Sequence, residues 1–175
     1  MKKVLILCLL LFSFQGKTLV ISPGLGGTLS LGGSSSGSHV YEMGFGATGE
    51  IQISYSIFGN YSLGVLYGYS FSFAAMNAVD IIHSAILFGY KTNIFLIQKI
   101  SAGYGLGSSF DYKGAAEPYT KGSGPVFMIS NDIGTSTTLN VQFHMISFPE
   151  DKLVTTSTPT NNQIIITFNR NYKIF

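Results

Sequence analysis

Residues 59–73, GNYSLGVLYGYSFSF, place a large apolar or aromatic side chain at every second position. The residues between them are mostly small, and none is charged. A period of two predicts a β-strand. A strand at the surface of a soluble sheet turns its apolar face to the core and a polar face to water. This segment has no strongly polar face. Its sequence therefore raises the question of which face of the strand points to the interior of the protein.

The same alternation continues along the chain and predicts eight strands, the first at about 18–32 and the last at 163–175. The predicted connections are loops at 33–38, 74–80, 111–124 and 149–162 and tight turns at 58–60, 91–93 and 134–136. Long and short connections would therefore alternate strictly. An even number of strands, with tight turns at one end and long loops at the other, is typical of outer-membrane barrels.

We therefore predict an all-β fold, an eight-stranded antiparallel up-and-down transmembrane β-barrel. The aromatic row of 59–73 would face lipid and the small residues would face the lumen, since closure leaves no unpaired edge in the hydrocarbon. Four tyrosines near strand ends are expected in the interfacial aromatic girdles. They are Tyr41, Tyr61, Tyr90 and Tyr172.

Composition supports this prediction. Charged residues make up 10% of the 175 residues, against roughly 25% in ordinary soluble domains. The hydrophobic content of 46% argues against disorder. Beyond position 16 the chain has eight basic and eight acidic residues. This balance gives no basic surface for nucleic acid, and we expect no nucleic-acid partner.

The N-terminus predicts a secretory signal peptide over residues 1–16, followed by the barrel over 17–175. Lys2 and Lys3 precede an apolar run of 11 residues, 4–14. This run is too short to cross a bilayer of about 30 Å as a helix. The alternative is a buried N-terminal strand or helix. Cys8 follows Leu7 rather than a small residue, which argues against lipidation.

With its predicted strands and its terminal Phe175, the chain resembles the small eight-stranded outer-membrane barrels of the OmpA/OmpX-like and opacity-protein-like group. This resemblance implies a place in the bacterial outer membrane, contact with its lipids, and recognition of the C-terminal strand by the barrel assembly machinery. Tyr172 and Phe175 would form that signal. The chain departs from the usual pattern, because Lys173 stands where an aromatic residue is expected.

The C-terminal strand also contains a conflict of parity. Phe175 falls on the opposite face from Ile164 and Tyr172, whereas Arg170 has the lipid-facing parity. An arginine at the bilayer midplane costs roughly 2–4 kcal/mol. Either a bulge lies near 169–171 or Phe175 leaves the strand, and this cost favours the bulge.

Two patterns suggest chemistry. The segment GFGATG at 44–49 fits a dinucleotide fingerprint, but a strand follows it where a helix is required. We therefore expect no nucleotide and no other cofactor. His39, His83 and His144 raise the alternative of a lipid-modifying hydrolase, but none has a placed base partner in the sequence. No cluster has metal-ligand spacing, and no metal is expected.

Polar residues with lumen parity predict a plug inside the barrel or, alternatively, the lining of a selective channel. The predicted cluster is Glu42, Glu50, Lys99, Asn140, Gln142 and His144. An eight-stranded barrel is only just wide enough for its own side chains, which favours the plug.

Small residues with lumen parity in the outer strand halves predict a vestibule open to the long loops. It would either admit a small ligand or, as we favour, be filled by inward-folded residues 111–124. The vestibule set is Gly44, Gly46, Gly68, Ser70, Gly103 and Gly105. Larger residues should close the turn end. These are Glu50, Gln52, Phe95, Ile97 and Lys99.

The resulting hypothesis is a non-enzymatic outer-membrane barrel with a structural or surface-interaction role in the cell envelope. Its lumen would be plugged, and its surface partner is unknown. The alternatives are an outer-membrane lipid-modifying enzyme and a secreted ligand-binding barrel of lipocalin type. A lipocalin would turn the aromatic rows inward.

Overall fold

The computed structural model describes residues 18–31, 33–34, 40–41, 43–74, 77–94, 97–112, 122–147 and 160–174. Its eight principal strands are β1 (Leu19–Ser30), β2 (Gly44–Ser56), β3 (Tyr61–Ala74), β4 (Asn77–Ile94), β5 (Ile97–Tyr112), β6 (Gly122–Asp132), β7 (Thr137–Ser147) and β8 (Thr160–Arg170). Each strand pairs antiparallel with the next, and β8 also pairs with β1, which closes the barrel. The predicted all-β, eight-stranded antiparallel barrel is confirmed. The predicted signal peptide, residues 1–16, lies outside the described residues.

Three short strands accompany the barrel. Gly33–Ser34 pairs with Val40–Tyr41, and Tyr172–Lys173 extends the sheet along β1. In the part of the chain that the structure describes, no helix is long and apolar enough to cross a membrane.

The outside of the barrel is apolar. In β3, Val65 is 50% exposed and Tyr67 58%, whereas Leu66 between them is 0% exposed. The same alternation runs through the other strands, and it answers the question of sidedness. The aromatic rows face outward and the small and polar rows face inward, as predicted, because a closed barrel in lipid exposes its apolar face. A lipocalin-type barrel would show the opposite arrangement, so that alternative is wrong.

The connection between β3 and β4 is shorter than predicted. Ala74 pairs with Asn77, which leaves only residues 75–76 between the strands. The expected loop at 74–80 is therefore wrong, and so is the strict alternation of long and short connections. This segment contains no glycine or proline, and pairing with β3 keeps Asn77 and Asp80 in a regular ladder.

β4 continues to Ile94 and β5 begins at Ile97, so residues 91–93, which were predicted to form a turn, lie within β4. Lys91 pairs with Lys99 and Ile94 with Ile97, so the register shifts within the hairpin. The Thr92 hydroxyl accepts a hydrogen bond from the Ile94 amide at 2.9 Å, which holds this irregular segment in the strand.

The other two tight turns are where the sequence predicts them. Gly59 has a φ of 53° and Gly134 a φ of 84°. This left-handed conformation is easily adopted only by glycine. In the first turn, the Tyr61 amide donates to the Phe58 carbonyl at 3.0 Å.

The C-terminal strand contains no bulge. Gly24 pairs with Asn169 and Ile21 with Tyr172, so β1 keeps one register on both sides of the interruption at Asn171. The predicted bulge is therefore wrong. The β1 positions left without a ladder partner here are Ser22 and Pro23, and Pro23 has no amide N–H to donate to a ladder.

Arg170 lies on the outer face, and its guanidinium is 5.8 Å from the centre of the Tyr172 ring. Arg170 pairs with Thr137, the first residue after a tight turn. At this end of the strand, near the membrane interface, an arginine costs only about 0–1 kcal/mol. Phe175 lies outside the described residues.

Aromatic rings gather on the outer face near the tight turns. The Tyr61 ring lies 5.2 Å from Phe58, 5.5 Å from Phe88 and 5.1 Å from Tyr90. This cluster has the position of an interfacial girdle. The side chain of Tyr41 is outside the described residues.

Candidate functional site: the barrel interior

We call the end that carries the tight turns and the short strand Tyr172–Lys173 the turn end, and the opposite end the loop end. The interior divides into a packed section in the middle and a cavity at the turn end. The packed section has a polar side and an apolar side.

The polar side is a hydrogen-bond network around Glu50 on β2. Its carboxylate accepts from Gln142 Nε2 at 2.6 Å, from the Thr167 hydroxyl at 2.7 Å and from Asn169 Nδ2 at 2.8 Å. Asn169 Nδ2 also lies 3.2 Å from the Ser22 carbonyl oxygen. A buried carboxylate must be paired in this way, because leaving it unpaired carries a large desolvation cost. The network ties β2 to β7 and β8 across the lumen.

Two histidines extend this network. The His144 Nε2 atom lies 2.9 Å from Gln142 Oε1. The His83 and His144 rings meet edge to face with centroids 4.8 Å apart. His83 is 0% and His144 1% exposed. Neither ring nitrogen of His83 has a hydrogen-bond partner among the described residues.

The apolar side of the packed section was not predicted. Five buried residues form it: Leu66, Ala85, Leu87, Val126 and Met128. Leu66 is the one large residue in the row of small, inward-facing residues in 59–73. It was the only indication in that segment of an apolar packing region inside the barrel. Inward-facing leucine and methionine fill space that glycine and serine leave open.

The structure separates the predicted polar cluster into two groups. Glu50, Gln142 and His144 join in the network. Asn140 and Lys99 line the turn-end cavity. Glu42 lies outside the described residues. The sequence did not predict the His83–His144 pair. Two lumen residues on different strands can be paired only when the height of each along the barrel axis is known.

The predicted vestibule residues lie against neighbouring atoms. A β-carbon at Gly46 would collide with the Phe71 carbonyl oxygen, and one at Gly103 with that of Ile86. At Gly68 it would lie 2.5 Å from His83 Nε2, and at Gly105 it would lie 2.7 Å from Val126 Cγ2.

Ser70 is fully buried and donates to the Thr48 hydroxyl at 2.9 Å. Gly44 is buried as well. Among the described residues, this set belongs to a packed wall.

Among the described residues, a large cavity lies at the turn end. A cavity of about 1080 Å³ is lined there by polar residues from nearly every strand, among them Gln52, Ser54, Lys91, Lys99, Asp132 and Asn140. Gln52 and Lys99 were expected to close this end, but they line the cavity instead. Phe95 lies outside the described residues, and Ile97 is half-buried. The described interior is thus open at the end where closure was predicted.

Within the described residues, no group of three or more His, Cys, Asp or Glu side chains is placed to hold a metal ion. The polar network contains one carboxylate and two imidazoles. The carboxylate, that of Glu50, already accepts hydrogen bonds from three protein donors.

No protein-family model and no curated protein matches the chain. Solved structures do. Neisserial surface protein A (NspA) is similar with a TM-score of 0.56 at 13% identity, covering 90% of this chain and 100% of that one. Ail, the attachment invasion locus protein of Yersinia pestis, is similar with a TM-score of 0.50 at 7% identity, covering 87% and 98%. At such identities the likeness establishes the fold.

The closed eight-stranded meander and its apolar outer wall define an integral β-barrel of the bacterial outer membrane. Its strands are therefore in contact with membrane lipid, as predicted.

Proposed function

We propose that this protein is a closed, non-enzymatic outer-membrane barrel with a structural or surface-interaction role in the cell envelope. The observation that supports closure is the packed section of the lumen. Leu66, Gln142 and Thr167, which come from three strands, are each at most 1% exposed. Side chains that fill a small barrel in this way leave no continuous water path.

Conductance of the purified chain in planar bilayers tests this closure. We expect the wild type to be silent. A matched variant that empties the polar side, Glu50→Ser with Gln142→Ser, should give brief openings and so show that the assay detects a pore in this barrel. Stable, ion-selective openings of the wild type would contradict the proposal.

A surface role is supported by the names of the similar structures, a Neisserial surface protein and an attachment invasion locus protein. It is tested by replacing residues 113–121 and 149–158 with short Gly-Ser linkers, separately and together. If the role is structural, the shortened chains should restore detergent resistance to cells that lack the protein. If the role is surface interaction, they should lose adhesion while the full chain retains it. Unchanged adhesion in the shortened chains would contradict the surface role.

The alternative of a lipid-modifying enzyme is tested on the histidines. His83 and His144 lie inside the barrel, away from the lipid-facing wall, which supports a packing role. His39 lies outside the described residues. We expect no turnover of labelled phospholipid or lipopolysaccharide by the folded chain. Turnover that is lost in His144→Asn or His39→Asn would contradict the non-enzymatic proposal.

Assembly is proposed to proceed through the C-terminal strand. Tyr172 is exposed on the outer face and pairs with Ile21 of β1. We expect deletion of Phe175 to reduce insertion into the outer membrane in cells, and Tyr172→Ala to reduce it less. Normal folding of both variants into vesicles, without the assembly machinery, would separate recognition from stability.

A further inference from the structure

The turn-end cavity has the size, position and charge of a binding site. Its volume of about 1080 Å³ lies just above the usual range of about 300–1,000 Å³ for small-molecule sites. Exposed turn residues such as Asn60 and Thr135 form its rim. In outer-membrane barrels the short turns face the periplasm, so this cavity opens to periplasmic solutes.

The cavity carries an excess of positive charge. Its lining includes Lys91, Lys99 and Lys173 but a single carboxylate, Asp132, which gives a formal charge of 3 − 1 = +2. The Asp132 Oδ1 atom accepts from the Thr138 hydroxyl at 2.8 Å, and its negative charge is included in this sum. A bound anion would offset charge that the protein itself leaves uncompensated.

Two of these lysines face each other directly. Lys91 on β4 and Lys99 on β5 are register partners at the turn end. Like charges opposite each other on neighbouring strands destabilise a sheet. The Cε atom of Lys99 lies over Gly89, where a β-carbon would collide with it, so the lysine stem runs along the inner wall. Two cations on neighbouring strands are an unfavourable arrangement that a bound anion would relieve.

An unpartnered amide lies at the inner side of the cavity. Asn140 lines it and is 1% exposed. Neither its Oδ1 nor its Nδ2 has a hydrogen-bond partner among the described residues. Burying an unpaired amide is unfavourable, and buried polar groups are normally paired. An anion held by the lysines would give the Asn140 N–H group an acceptor.

We propose that this cavity binds a small phosphate-bearing dianion from the periplasmic side. A phosphate monoester or inorganic phosphate carries a charge of about −1.5 to −2 at pH 7, which matches the excess charge of the lining. Its oxygens accept hydrogen bonds from the lysine ammonium groups, which bind phosphate as point charges. Asn140 then donates to a further oxygen. This site is independent of the envelope role proposed above.

The test uses the full chain, folded in an uncharged sugar-headed detergent and free of phosphate buffer. Inorganic phosphate is titrated while the Asn140 side-chain amide is followed by ¹H–¹⁵N NMR, with calorimetry in parallel. We expect saturable binding and a shifted Asn140 amide resonance. Lys99→Gln and Lys91→Gln should each weaken binding about tenfold, the order for one lost charge-assisted contact. Lys173→Gln, at the exposed rim, should weaken it less.

Arg170→Gln is the matched control, because it removes one positive charge from the outer wall and leaves the cavity lining unchanged. The proposal is overturned if phosphate binding weakens equally in this variant. It is also overturned if the wild type binds neither inorganic phosphate nor a lipid phosphate headgroup saturably. Succinate, a dicarboxylate dianion, tests the chemical class, and equal affinity for it overturns the phosphate assignment.

The phosphate group has two sources, a free solute or a lipid headgroup. A nanodisc that contains phosphatidic acid, a lipid whose headgroup is a phosphate monoester, distinguishes them. An Asn140 shift that appears in the nanodisc without added phosphate, and that is lost in Lys99→Gln, identifies the headgroup. A shift that requires added phosphate identifies the solute. All variants are checked for folding by their altered migration on unboiled gels.

Discussion

The imidazole of His83 lies on the α-carbon of Gly68, its register partner across β3 and β4. A β-carbon at Gly68 would lie 2.5 Å from Nε2 and 2.9 Å from Cε1 of that ring. Gly24 and Asn169 form a second pair of this kind, with a β-carbon at Gly24 2.5 Å from the amide atoms. Inward-facing glycines here make room for a large polar neighbour on the next strand.

Gly68→Ala is therefore expected to destabilise the barrel. The new methyl group forces His83 away from its position against His144, and overpacking of this kind costs about 1–3 kcal/mol. The matched control is Gly49→Ala, where a β-carbon would meet only Leu25 Cδ2 at 3.5 Å. That substitution should be neutral or slightly stabilising, because alanine loses less backbone entropy than glycine. Chemical unfolding of vesicle-embedded protein measures both, and equal effects would contradict the packing interpretation.

The carboxylate of Glu50 should be coupled energetically to the Thr167 hydroxyl, its donor at 2.7 Å. Glu50→Gln places an amide among three donors, and one unsatisfied buried group costs about 1–3 kcal/mol. Thr167→Val removes one donor with little change in shape. In a double-mutant cycle we expect a coupling energy of about 0.5–3 kcal/mol. Strict additivity of the two free-energy changes would show that the network contributes no cooperative stability.

The outer wall should reject charge while the turn-end rim accepts it. Val65 is half exposed on the lipid-facing side of β3. Val65→Arg should therefore destabilise the folded barrel by about 2–4 kcal/mol. Thr135→Arg, in an exposed turn, should change it by less than about 0.5 kcal/mol. Equal losses in both variants would mean that Val65 does not face hydrocarbon.

Much of the barrel wall could be predicted because it depends on one local rule. In 59–73 the period of two assigns Val65 outward and Ser70 inward without any knowledge of the neighbouring strands. The segment 74–80 was misjudged because Asn77 and Asp80 favour turns locally. Their pairing with Ala74 and Phe71 overrides that preference.

The interior could be predicted only in part, because contacts across the lumen depend on the register of every strand between the partners. Glu50 and Gln142 were both assigned to the lumen, yet they are 92 residues apart and meet only through the closed sheet. Parity gives the face of a residue but not its height along the axis. For the same reason the sequence could not show that a cavity would lie at the turn end.

The C-terminal register provides the last prediction. Asn171 points inward, where it accepts from the Ser22 hydroxyl at 2.7 Å and donates to the Thr138 hydroxyl at 2.6 Å. Each of these neutral hydrogen bonds contributes about 0.5–1.5 kcal/mol net, so Asn171→Ala should destabilise the barrel by about 1–3 kcal/mol.

Arg170→Ala is the neighbouring control. Its side chain lies on the outer face near the turn end, where removing an arginine changes stability by about 0–1 kcal/mol. A bulge at this point would exchange the two faces and make Arg170 the more sensitive position. Unfolding of the two variants in the same vesicles decides the matter, since only the unbroken register makes Asn171 the costlier loss.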